Sequence, residues 1–144
     1  MPALSTPAEV EALADQLSAA ADELHRRIVQ DLAARKGEPV PEADQATLRQ
    51  LLDDELALRQ HANALYADAA AKVVAGLPQT QAQVERLTAD AAAKIRAIAK
   101  LGDGLGVVTA LGVFAAAALS GQPAAIVTAL DKLRRQVKAA QADA

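Results

Sequence analysis

The chain contains no cysteine. Disulfides, thiolate nucleophiles and cysteine-held metal centres are therefore excluded. Tryptophan is also absent, and Tyr66 and Phe114 are the only aromatic residues. So few bulky side chains argue against a β-sandwich or an α/β core. They also provide no aromatic residues to interleave with a basic stripe, and the chain is acidic overall, so no nucleic-acid partner is expected. The N-terminal residues lack a basic start followed by an apolar run. Neither a secretory signal nor an Arg-rich transit peptide is expected, and the expected location is the cytoplasm, with or without membrane association. The longest absence is of charge, since no charged residue lies between Asp103 and Asp131.

What is present is mostly helix-forming. Apolar residues make up 52% of the 144-residue chain, with alanine dominant, and glycines are few. This composition favours helix almost throughout and fits one domain. Charge is unevenly shared. Residues 1–77 carry seven basic and thirteen acidic side chains, whereas residues 78–144 carry eight and five. The first expectation from this asymmetry is internal complementarity between an acidic and a more basic hairpin. The alternative is a basic half facing an anionic partner or headgroup.

Five helical segments follow from periodicity and punctuation. The first covers residues 7–37, with Thr6 as cap, Pro7 in the first turn and Glu9 completing a capping box. Its stripe is Val10, Leu13, Leu17, Ala21, Leu24, Ile28 and Leu32. Pro39 and Pro41 interrupt the helix. The second segment, 42–76, carries two stripes. Leu48, Leu51, Leu58, Ala62, Leu65 and Ala69 form one, and Leu52, Leu56, Tyr66, Ala70 and Val74 form the other. Two stripes predict cover from two sides, hence a central helix. The third segment, 80–101, carries Val84, Leu87, Ala91, Ile95 and Ile98. Breaks are expected at 37–41, 76–79, 102–104 and 120–123. Asp103 is available to cap the fourth segment, 104–120, and the fifth covers 123–141 with Ile126, Leu130, Leu133 and Val137 as its stripe.

The fourth segment is apolar on every face, so either protein or lipid must cover it. Its seventeen residues make a helix about 25 Å long, at the short limit for a membrane span. Its alanines and glycines add little transfer free energy, and Gly121-Gln122-Pro123 interrupts the longer window. A buried core helix is therefore the first expectation. Should this segment meet a partner or a bilayer, Leu105, Val108, Leu111, Phe114 and Leu119 are the candidate contacts. Long amphipathic helices around an apolar hairpin resemble α-helical pore-forming and translocator proteins. The resemblance covers the pattern and no motif, and it implies release of residues 104–130 into a bilayer.

Chemistry-bearing clusters are sparse. Asp53, Asp54 and Glu55 form the densest acidic run, and an antiparallel first hairpin brings His25 level with it. The Glu-x-x-His pairs of di-iron bundles are missing, and no catalytic residue, cofactor or metal site is expected. The cluster reads as structural, with Glu55 pairing to Arg86 or Arg96 and fixing helix register. The reading as a whole is an all-α antiparallel bundle with an apolar inner segment. Its expected role is that of a non-enzymatic, bacterial-type adaptor, chaperone or immunity protein, acting by helix–helix contact with a protein partner or with itself. The alternative is a protein that docks residues 104–130 into an anionic membrane.

Overall fold

The computed structural model describes residues 2–142. Among them are five α-helices: α1 (Pro7–Ala34), α2 (Glu42–Ala67), α3 (Gln81–Ala97), α4 (Leu105–Ser120) and α5 (Pro123–Ala142). No strand is present among the described residues, and the fold is an all-α bundle. α1 packs on α2 and α3, α2 on α4, α4 on α5, and α3 and α5 close the ring more loosely. α2 thus sits across the bundle from the α3–α5 seam.

Thr6 caps α1 as predicted, but the expected capping box does not close, because the Glu9 carboxylate takes the Ser5 amide and not that of Thr6. Thr6 Oγ1 accepts from the Glu9 amide at 3.2 Å, while the Glu9 carboxylate turns back to Ser5, accepting from its amide at 3.1 Å and its hydroxyl at 2.7 Å. These bonds, that of the Ser5 side chain foremost, hold the Glu9 carboxyl below its ordinary range. Thr80 and Gln83 form a full capping box at the start of α3. Gly121 ends α4 in the left-handed region at φ 69°. Pro123 then occupies the first position of α5, and this order of residues reverses the chain.

Four helices stop or start away from their expected limits, the first being α1, which ends at Ala34 and not at residue 37. α2 ends at Ala67, not near residue 76, although Ala69-Ala70-Ala71 has high helix propensity. Tertiary contacts override that propensity. A single 3-10 turn, Ala69–Lys72, leads into an extended stretch whose Val74 amide donates to Leu4 O at 2.8 Å, and Val74 and Leu77 become buried. α3 ends at Ala97. The carbonyl of Ile98, freed from the helix, accepts from Arg27 Nη2 at 2.8 Å. Asp103 does not cap α4. It lies in the 3-10 turn Leu101–Gly104, and Gly104 holds the cap position. A Cβ on Gly104 would lie 2.5 Å from Ile98 Cδ1, so a larger residue there would have to displace the end of the Ile98 side chain.

The stripes of α1, α3 and α5 bury largely as their spacing predicts, with Leu32, Leu87 and Ile98 the partial exceptions. α2 does not hold the predicted central place. Its first stripe is inside, with Leu51, Leu58, Ala62 and Leu65 buried. In its second stripe Leu52 and Leu56 are 46% and 57% exposed, and Tyr66 is also exposed. α2 has neighbours only on its inner side, so one stripe faces water.

The fully covered α4 also needs correcting. Val107, Val108, Leu111, Phe114, Ala115 and Ala118 are buried, but Gly106, Thr109, Val113 and Ala116 form an open face. Most of these are small, so little apolar area is exposed, and Val113 is the one large side chain among them. By length and composition Leu101–Ser120 could cross a membrane, yet half of that window is buried inside the bundle.

Candidate functional site

The acidic cluster with His25 separates in space. His25 Nδ1 lies 3.1 Å from Glu55 Oε1 on the α1–α2 seam, and Arg59 joins Glu55 at 3.0 Å to Asp22 at 2.9 Å. Asp53 is exposed. Asp54 turns to the other side of α2, where Gln50 Nε2 donates to its Oδ1 at 2.9 Å while Oδ2 is buried without a partner. Burial raises the Asp54 carboxyl above its ordinary value, and Asp53 adds to the rise, while the hydrogen bond from Gln50 offsets part of it. Glu55 does not reach Arg86 or Arg96 as expected. Local partners on α1 and α2 satisfy it first, and Arg96 instead pairs with Glu23 at 3.4 Å. The cluster therefore stitches one hairpin together. Among the described residues no three His, Asp or Glu side chains could hold a metal ion.

The candidate contacts on α4 divide as well. Val108, Leu111 and Phe114 have no exposed surface and belong to the bundle's own core, so none is a surface contact in the folded chain. Leu105 and Leu119 are half-buried.

A concavity lies elsewhere, between α3 and α5, with a volume of about 760 Å³. Val84 and Leu130 are buried at its floor, and half-buried Leu87 and Val127 form its apolar walls. Arg86, Asp90, Arg134 and Arg135 stand along its edges. Asp131 accepts from Arg134 Nη2 at 2.7 Å and also from Arg135, and these two guanidiniums, Arg134 first, hold its carboxyl below the usual range. Gln79 adds a buried side-chain oxygen without a partner at one end. The lining includes no histidine, serine or cysteine, and Asp131 is engaged by its neighbours. Comparison of the chain with protein-family models, curated proteins and solved structures gives no match.

A smaller cavity of about 250 Å³ lies where the α1–α2 turn meets residues 99–103. Arg35 joins Asp31 at 3.0 Å and Asp44 at 3.5 Å there, which ties the two helices together. It is a structural junction.

Sequence reasoning did not single out the α3–α5 cleft. Its signal was present in part. Leu87 and Val127 stand at the edges of the α3 and α5 stripes, so each helix has more apolar width than its neighbours cover. Periodicity gives that width but not which two helices splay apart.

Proposed function

We propose that the chain is a non-enzymatic accessory protein that binds an amphipathic helix in the α3–α5 cleft. The observation that carries this reading is the combination of Leu87 and Val127 as apolar walls with charged edges on both helices. An amphipathic helix with apolar anchors three and four residues apart is the kind of ligand that apolar walls between charged edges would receive. An adaptor, chaperone or immunity role would use the same contact.

The test is fluorescence anisotropy with a labelled, designed amphipathic helix of leucine, alanine and glutamate. Saturable binding is expected, on the order of micromolar, with at least a tenfold loss in Leu87→Glu and Val127→Glu. Absence of saturable binding, or equal binding by all three proteins, would end the proposal.

One observation favours a second reading, in which α4 meets a bilayer: the open face of α4 is uncharged along its whole length. Insertion would have to withdraw Leu111 and Phe114 from the core, so it requires the bundle to open. Flotation with anionic liposomes at low salt tests this. A chain that stays at the bottom of the gradient removes the bilayer reading.

A further inference from the structure

We infer that the occupant of the α3–α5 cleft is the outer ridge of α2 from a second copy of this chain, joined head to tail. The inference rests on the cleft being a helix-binding groove. Its starting point is charge that the two halves leave uncancelled between them, although Asp44, Glu55 and Arg59 of α2 are paired within the first hairpin. α2 carries five acidic and two basic side chains, whereas α3 and α5 together carry three and seven. The expected internal neutralisation is nearly missing. Among the described residues Arg96–Glu23 is the one ion pair joining residues 1–77 to residues 78–144. The remaining pairs close within one half, as Arg59–Asp22 and Arg134–Asp131 do. The two halves meet through apolar faces, and the molecule keeps an acidic flank and a basic flank.

The acidic flank also carries the exposed apolar residues that the basic cleft lacks. Leu52 and Leu56 are one turn apart on α2 and lie 46% and 57% open to water, with acidic Asp53 between them. Val29, one turn beyond His25 on α1, is exposed at the same end of the hairpin. Leucines at i and i+4 are the spacing a groove accepts from a docked helix. Across the bundle the cleft offers Leu87 and Val127 as walls, with Arg86, Arg134 and Arg135 outnumbering Asp90 and Asp131. Because α2 packs on α1 and α4, while the cleft lies between α3 and α5, ridge and groove face away from each other. A chain cannot satisfy its own groove, and a contact between unlike faces does not close on itself as a two-fold dimer does. The product is a ring where the rotation closes and an open series where it does not, and in either case it grows with concentration and weakens with salt.

Sedimentation velocity on the full chain tests this with two variants placed on exposed positions, where the fold tolerates change. Leu52→Glu with Leu56→Glu spoils the ridge and leaves the groove. Arg86→Glu with Thr128→Glu spoils the groove and leaves the ridge, and Arg86 and Thr128 are both exposed. Circular dichroism confirms that each is folded. The wild-type chain is expected to form dimers and longer species, with association at least tenfold weaker at high salt than at low salt. Each variant alone is expected to be monomeric, and an equal mixture to give a 1:1 dimer that grows no further. A monomeric wild type at every concentration overturns the inference. So does association that survives in the ridge variant, which would mark a symmetric groove-to-groove contact, or a mixture that stays monomeric. Should the wild type be monomeric while the designed helix still binds, the groove reading stands and only the self-association falls. Should neither occur, both fall.

Discussion

The Tyr66 hydroxyl donates to Asp15 Oδ1 across the exposed seam between α1 and α2. Loss of hydration, followed by this bond and the nearby negative charge, pushes the phenol above its ordinary value of 10.0. The folded state therefore favours the neutral phenol. That contribution is complete below the unfolded value and is lost as pH rises through the higher folded value. Tyr66 is the one tyrosine in a chain without tryptophan, so the phenolate band in a spectrophotometric titration reports it alone. The midpoint should lie above that of the unfolded chain, and Asp15→Asn should bring it down. Tyr66→Phe should cost less than about 1 kcal/mol in urea unfolding, because the bond is open to water.

Asp54 shows the opposite economy, since its charge is a burden on the fold. Its carboxyl is raised first by burial, and one oxygen finds no partner. Between the unfolded value and the raised folded value the native chain binds more protons, so Asp54's contribution falls as pH rises through this window and stays low above it. Asp54→Asn should therefore raise Tm at neutral pH by roughly 2–4 °C, a gain of about 1 kcal/mol or less. The gain should shrink toward acid, where Asp54 itself becomes neutral. Thermal melts of both proteins across acid and neutral pH check this, and a gain that grows on acidification would contradict it.

α4 supplies a sharp contrast between its two faces. Phe114 has no exposed surface, whereas Val113, its neighbour in sequence, is 43% exposed. Phe114→Ala should cost about 3–5 kcal/mol, through lost burial and the cavity left behind. Val113→Ala should stay within about 0.5 kcal/mol of wild type. Paired urea titrations measure the difference. Similar losses at both positions would mean that α4 is covered on both faces.

Much of the bundle was legible because period and punctuation are local properties. Thr6, Pro7, Thr80 and Pro123 mark helix starts by their own chemistry, and the stripe from Val10 to Ile28 names a core face without any knowledge of the fold. Most of the errors lie where a distant segment decides. Nothing near Ala69 shows that Leu4 will take the Val74 amide and end the helix early. Nothing in Leu52 and Leu56 tells an outward leucine from an inward one, because both stripes of α2 have helical spacing. Asp53, Asp54 and Glu55 form one group only along the sequence. On a helix they point in three directions, and only Glu55 and His25 meet. The cleft was hardest to foresee, since it depends on two helices failing to pack closely.

The N-terminal clasp carries the last prediction. Ala3 and Leu4 are buried, the Ala3 amide donates to Gln79 O at 2.8 Å, and the Leu4 amide donates to Gln81 Oε1 at 3.0 Å. Leu4 also sits at φ 58°, in the left-handed region that leucine rarely adopts. Burial of its side chain therefore offsets a backbone cost of about 1–2 kcal/mol. Leu4→Ala should lose about 2–5 kcal/mol, because it keeps the strained backbone and empties the pocket. Leu4→Gly empties the same pocket but releases the strain. At an ordinary site glycine is worse than alanine by about 0.5–1 kcal/mol. Here glycine should equal or exceed alanine in urea unfolding. An alanine variant clearly more stable than the glycine variant would show that the clasp does not hold Leu4 in this conformation.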